Sequence, residues 1–253
     1  MPTPPDDKIE YPATSGQPGG ETEIHSKAFF ETAWSLDLHF VNTPDVYVWG
    51  NMLLYYAEGD PGARVCPDLF LVRGVPRHPR RTYKLWEEGK TPSLIIEFTS
   101  ESTREEDLGF KKDLYERLGV EEYFLFDPLG EYLQPRLQGY KLEEGRYRSL
   151  PPGPDGSLPS RTTGLSFAPE RERLRLRETE SGHRVPWSWE VLDLTRAALA
   201  GLESLEEKSE SALAKLDALE EDAQRIEARA KAAEDRLKEL DQEFAIFRNE
   251  PVN

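Results

Sequence analysis

Thr91 to Pro128 reads TPSLIIEFTSESTREEDLGFKKDLYERLGVEEYFLFDP, and its pattern is strand, helix, strand. SLIIEF is a short apolar run rich in branched residues, bounded by Pro92 and Ser100, as a core strand would be. Ser102 with Glu105 three positions on has the spacing of a capping box and predicts a helix start there. Gly119 closes that helix, since a left-handed terminal residue is least strained without a Cβ. EEYFLFDP is a second strand, ended by Pro128.

Two charges in this unit stand where charges are costly. Glu97 interrupts a strand that is apolar on both faces. Lys111 falls in the stripe Leu108, Lys111, Tyr115, Leu118, whose spacing is one helix face turned along the sheet. Buried ions persist when paired or bound to a metal, so both an ion pair bracing strand to helix and a reactive site are open.

Upstream, Asp68 follows Pro67 and opens the apolar run LFLV, which predicts a neighbouring core strand with a carboxylate at its mouth. Asp after Pro is also an ordinary turn residue. Between this strand and that of Glu97, residues 73–84 carry Arg73, Arg77, Arg80, Arg81 and Lys84 and no acid. Taken singly these are solvated loop residues; as a cluster they are candidate phosphate contacts. His78 lies among them as a further donor.

Further out, residues 1–22 are rich in Pro, Gly, Ser and Thr and predict a disordered arm. Ile24 to Phe40 has helical periodicity through Ala28, Phe29, Ala33, Leu36 and Phe40. His25 and His39 at its ends read as structural. VYVWG and MLLYYA are strands parted by Gly50 and Asn51. After Pro128, short alternating runs with GR, DG and SG breaks predict antiparallel hairpins that extend the same domain to about Trp189. From Leu202 to Phe247 apolar or small residues alternate three and four apart without a slip, which predicts a coiled-coil helix over 195–248. With Leu202, Leu216 and Leu237 at a and Leu205, Leu219 and Leu240 at d, a parallel dimer sets Lys215 against Glu220, Arg229 against Glu234 and Arg236 against Asp241. Only Asp222 with Glu227 repels.

The chain has 253 residues, 37% hydrophobic and 32% charged, with a net charge of −16. That balance allows one moderate core, residues 23–190, with polar segments outside it. It argues against a protein that coats nucleic acid. One cysteine, Cys66, excludes an internal disulfide framework and fits a reducing, cytoplasmic compartment. The chain starts without a signal-peptide pattern and has no apolar run near the ~20 residues that span a bilayer.

Asp68, Glu97 and Lys111 together suggest oxygen ligands for Mg²⁺ or Mn²⁺ beside an ammonium that orients water or neutralises charge. PDLFLV followed by IIEFTSESTREEDLGFKKDLYERLGVEEYFLFDP resembles the Uma-two family, a branch of the PD-(D/E)XK restriction-endonuclease-like superfamily. The shared residues are Pro67, Asp68, Glu97, Ser100, Ser102, Thr103, Asp107, Lys111, Tyr115, Gly119, Val120, Glu122, Tyr123, Asp127 and Pro128.

The resemblance covers roughly 24–190. It implies an α/β fold, a mixed sheet flanked by helices, and a metal-dependent endonuclease acting on nucleic acid, DNA foremost. Asp68 and Glu97 would hold the metal and Lys111 would be catalytic, with Ser100, Asp107 and Tyr115 supporting them. The chain departs from the pattern at Thr99, where the superfamily's E-x-K has lysine, and at Glu101 and Phe124; the heptad tail is an addition. A reading of another class is a nuclease-like scaffold that works as an interaction module through its coiled coil. The heptads imply a homodimer through the tail.

Overall fold

The structure, a computed structural model, describes residues 22–248, so the expected arm over 1–22 lies, apart from Thr22, outside the described residues. The chain divides into two units, Met1–Val191 and Leu192–Asn253.

The first unit begins with α1 (Glu23–His39), β1 (Val46–Trp49), β2 (Leu54–Tyr55), β3 (Arg64–Val65), β4 (Leu69–Arg73), β5 (Tyr83–Lys84) and α2 (Leu85–Glu88). β6 (Leu94–Phe98), α3 (Arg104–Glu106), α4 (Lys112–Leu118) and β7 (Glu122–Phe126) follow. It continues through β8 (Leu137–Glu143), β9 (Arg146–Ser149), β10 (Leu158–Ser160), β11 (Leu165–Glu170) and β12 (Arg173–Glu178).

A six-stranded sheet in the order β1-β4-β6-β7-β8-β9 organises this unit. β6 and β7 are parallel, joined through α3 and α4, whereas β4 runs antiparallel to β6 and the outer pairs are antiparallel. The sheet is therefore mixed, as expected. Both faces are covered, which explains why β6 and β7 are buried at every position. On one face Leu69, Leu71, Leu94, Ile96 and Phe98 pack with Ala28, Phe29 and Leu36 of α1 and with Phe167 and Leu176 of a separate sheet, β10-β11-β12. On the other, Phe70, Val72, Ile95 and Tyr123 pack with Leu114 and Tyr115 of α4 and with Leu54 and Tyr83 of the small sheet β3-β2-β5. The hairpin region thus divides: β8 and β9 extend the central sheet, while β10 to β12 form their own.

Two local expectations differ from the structure. The Ser102–Glu105 capping box does not form: the residue before α3 is Thr103, whose side chain caps no helix N–H. Its hydroxyl turns back and accepts the Ser100 backbone N–H at 3.1 Å, so the strand end captures the cap. Nor is the following helix regular. Between α3 and α4, Asp107–Lys111 forms a π-helical turn. Tyr123 donates its hydroxyl to the Asp107 carbonyl at 2.8 Å, bonding a backbone acceptor in that wide turn. Gly119 ends α4 at φ 79, as read.

Two buried acids fasten the unit. Glu122 accepts hydrogen bonds from the Ser160 hydroxyl (2.6 Å), the Arg161 N–H (2.8 Å) and the Thr162 hydroxyl, which ties β7 to the turn between β10 and β11. Asp127 accepts the N–H groups of Leu129, Gly130, Tyr132 and Leu133. The family-like motif residues at these two positions are structural clamps.

α5 (Ser188–Arg248) starts seven residues before the expected 195. The Glu31 carboxylate accepts both the N–H (2.9 Å) and the hydroxyl (2.7 Å) of Ser188, and Glu190 accepts the Trp187 N–H (2.8 Å). These acids satisfy donors at the helix start. In the second unit α5 is one helix whose Leu202, Leu205, Leu216, Leu219, Ile226 and Leu237 are all exposed. Arg225 with Asp222 and Arg236 with Glu239 pair along its surface. No described helix is long and apolar enough to cross a membrane.

Candidate active site

β4 and β6 pair through Leu69 and Ile96, and the next step of that ladder would match Asp68 with Glu97. There side chains replace the backbone bonds. The Asp68 N–H donates to Glu97 Oε2 at 3.2 Å, and the Phe98 N–H donates to Asp68 Oδ2 at 2.7 Å. The two carboxylates are thereby held at one point on neighbouring strands. Glu97 alternates with Ile96 and so falls, with Ile95, on the α4 face of the sheet.

Lys111 enters from the π-helical turn. Its Nζ lies 2.9 Å from Glu97 Oε2 and 3.0 Å from Asp107 Oδ1. Tyr115, one turn on, donates its hydroxyl to Glu97 Oε1 at 2.8 Å. Glu97 is wholly inaccessible to solvent, whereas the Asp68 side chain retains 16% exposure. Asp68 is therefore the open side of the constellation.

His25, on the first turn of α1, completes it. Its Nε2 stands 3.5 Å from Asp68 Oδ2, and its ring lies 6.0 Å from that of Phe98. A lone histidine at a helix start carried no sequence signal of this meeting. Asp68, Glu97, Lys111, Asp107 and Tyr115 are brought together as the sequence implied. Ser100 instead bonds among the hydroxyls of Ser102 (3.1 Å) and Thr103 (3.2 Å).

Three carboxylates thus share one ammonium. Burial, with the Asp68 and Asp107 charges, outweighs Lys111 and drives the Glu97 carboxyl well above the usual range. Burial works against the Lys111 charge, but Glu97, Asp107 and Asp68 overcome it and raise the amine, which stays protonated. Burial also opposes Asp68 ionisation; the His25 hydrogen bond and the Lys111 and His25 charges prevail and lower it. Burial, then Glu97, keeps Tyr115 a neutral phenol.

The residues present fit a hard divalent cation in kind. The donors are carboxylate oxygens, the cluster has surplus negative charge, and buried Asp107 Oδ2 and Thr99 Oγ1 have no hydrogen-bond partner. Among the described residues no group of three or more His, Cys, Asp or Glu is arranged as a metal cage. Two carboxylates completed by water suit Mg²⁺ better than a cage would.

Four of the five basic residues expected to meet phosphate are engaged within the protein. Arg73 donates to the Thr162 carbonyl (2.8 Å), and Arg77 donates to Asp37 and the Phe40 carbonyl. Arg80 forms a two-pronged pair with Glu88 (2.6 and 2.9 Å) over the Tyr47 ring, and Lys84 pairs with Glu87 (2.9 Å). Arg81 is exposed and makes none of the described ion pairs. Arginines bound to carboxylates bring no net charge to a phosphate. The sequence showed the cluster but not the acids that meet it.

A mixed sheet with Asp and Glu on adjoining strands, and a lysine on the helix that leaves the second, is the arrangement that the resemblance to restriction-endonuclease-like proteins implies. Residues 1–171 match the Uma2 family, described as "Putative restriction endonuclease". The chain belongs to that family, which indicates a nuclease. Among solved structures it is similar to a "putative nuclease belonging to DUF820" from Anabaena variabilis, with 13% identity and a TM-score of 0.43 over 58% of this chain and 77% of that one. A search of curated proteins returned no match.

Proposed function

We propose that the protein is an Mg²⁺- or Mn²⁺-dependent endonuclease that hydrolyses phosphodiester bonds in nucleic acid, DNA foremost. The observation that carries this reading is the convergence of Asp68, Glu97 and Lys111, through contacts of 2.9 and 3.2 Å on Glu97 Oε2. Asp68 and Glu97 would hold the cation, which when bound polarises a phosphoryl oxygen and acidifies water. Asp68, the exposed member, faces the substrate side. Lys111, held charged, stabilises negative charge that develops on phosphate or orients the attacking water. Asp107 and Tyr115 fix Lys111 and Glu97 in place, and His25 fixes Asp68. Arg81 is the basic-loop residue left to meet phosphate; the other four shape that loop.

The tail is proposed to join two copies through the seam of Leu202 to Leu240, placing two sites on one assembly. A cytoplasmic setting agrees with the single cysteine. The scaffold reading has one observation in its favour: both Glu97 oxygens are already engaged by protein groups.

The experiment is cleavage of single-stranded, duplex and branched DNA and of RNA, with Mg²⁺, Mn²⁺ or EDTA. Cleavage that needs the cation and is lost in Asp68→Ala and Glu97→Ala is the expected result. Cleavage that survives Glu97→Ala overturns the mechanism, and no cleavage of any form favours the scaffold.

A further inference from the structure

Trp49 ends β1, at the edge of the central sheet, and is 55% exposed. It borders a cavity of about 330 Å³ together with Asp37, Tyr47, Arg77, His78 and Arg80. That is small for a ligand pocket, at the low end of the ~300–1,000 Å³ range, and suits one nucleoside.

Its place in the chain links it to the carboxylates. Trp49 pairs across the sheet with Phe70, two residues after Asp68. The next residue, Gly50, packs on the Asp68 backbone so tightly that a Cβ there would stand 1.7 Å from the Asp68 carbonyl oxygen. The exposed indole is thus fixed, through one residue, to the strand end that carries Asp68.

Charge decides what it would bind. Duplex affinity grows with the number of phosphates neutralised. Here the net charge is −16 and Arg77 and Arg80 at the cavity are matched by Asp37 and Glu88. Stacking on an aromatic face needs no net charge and requires a base that is not already stacked in a duplex.

Resting on the nuclease reading, we infer that the cavity beside Trp49 is a base-stacking subsite for an unpaired nucleotide near the scissile phosphate. The substrate class is single-stranded or locally unpaired nucleic acid. The indole supplies the stacking face, Tyr47 supports the cavity wall, and exposed His78 supplies a donor to the sugar–phosphate.

The test is fluorescence anisotropy of a labelled oligothymidylate and of a hairpin duplex of matched length. The full-length protein is used in EDTA, so neither metal nor cleavage enters the readout. Tighter binding of the single strand is expected, with Trp49→Ala weakened roughly 5- to 150-fold, the worth of one stacked base. Trp49→Phe should keep most of the affinity. Equal or tighter duplex binding, no binding by the wild type, or unchanged binding in Trp49→Ala each overturns the inference. So does a Trp49→Ala protein that changes only its mass in light scattering, which would make this edge a contact between copies. Asp68→Ala should bind the oligonucleotide yet not cleave it. Failure of the nuclease reading would appear as absent cleavage with the anisotropy pattern intact.

Discussion

Gly50 and Asp68 are in contact through backbone: a Cβ on Gly50 would meet the Asp68 carbonyl oxygen at 1.7 Å and the Leu69 Cα at 2.9 Å. The Asn51 N–H also donates to the Pro67 and Asp68 carbonyls, both at 3.0 Å. The turn after β1 therefore sets the backbone from which the Asp68 carboxylate projects.

Gly50→Ala should displace Asp68. We expect a loss of ~1–3 kcal/mol, as for overpacking of a tight site, together with a large fall in cleavage. Gly109→Ala is the control: apart from its own turn of helix, nothing lies within 4 Å of where a Cβ would stand, and a gain of ~0.4–1 kcal/mol is expected. Thermal melts and rates of both variants check the pair.

Glu97→Gln should abolish cleavage while leaving stability unchanged or raised by ~0.5–2 kcal/mol, a trade typical of strained sites. Its advantage over wild type should grow with pH. Glu97 titrates higher in the folded protein than unfolded, so the native state binds more protons between the two values and wild-type stability falls as pH rises through them. Denaturant melts of metal-free protein from pH 4 upward measure this. A wild type that gains on the variant as pH rises would contradict it.

His25→Ala should act on Asp68 with the opposite sign. The lowered Asp68 value contributes stability that is present above the unfolded value, ~3.9, and lost as pH falls through the folded one. Without His25, burial is opposed by Lys111 and the Phe98 N–H alone, so the folded value rises and that contribution shrinks. Acid unfolding of the metal-free variant should begin at higher pH than in wild type.

Glu122→Ala should destabilise without a specific effect on chemistry. It would leave the Arg161 N–H without its acceptor and cost the Ser160 and Thr162 hydroxyls their carboxylate, leaving them to bond each other around a buried gap. Each buried group left without a partner costs ~1–3 kcal/mol, so a loss of several kcal/mol in denaturant melts is expected. Cleavage per folded molecule should be retained at temperatures where the variant is native.

Removal of residues after Thr195 should lower the mass seen by light scattering to less than half, from a dimer to a shortened monomer, and leave a folded first unit. The charge pairs of a parallel dimer, Lys215 with Glu220 and Arg229 with Glu234, contribute only ~0.2–1 kcal/mol each, so the apolar seam must supply most of the association. A full-length protein that is monomeric at high micromolar concentration would instead assign the seam to another partner.

What the sequence by itself determined is local. Runs of apolar residues marked β6 and β7, Gly119 marked the end of α4, and helical spacing put Lys111 and Tyr115 on one face turned along the sheet. Each rests on strand or helix periodicity, which relates residues a few positions apart. The tertiary structure alone decided the rest. Periodicity says which face a side chain takes but not what it faces, so neither His25 at Asp68 nor the acids that neutralise Arg77 and Arg80 could be read beforehand. The capping box was lost because the strand end competes for the same hydroxyls: Thr103 accepts the Ser100 N–H, and the Ser102 hydroxyl bonds that of Ser100. Glu122 became a clamp because a turn far along the chain brings Ser160 and Thr162 against it. Long-range polar pairing depends on where the packed layers place each group, and that is settled only when the sheet, its helices and its covering strands close together.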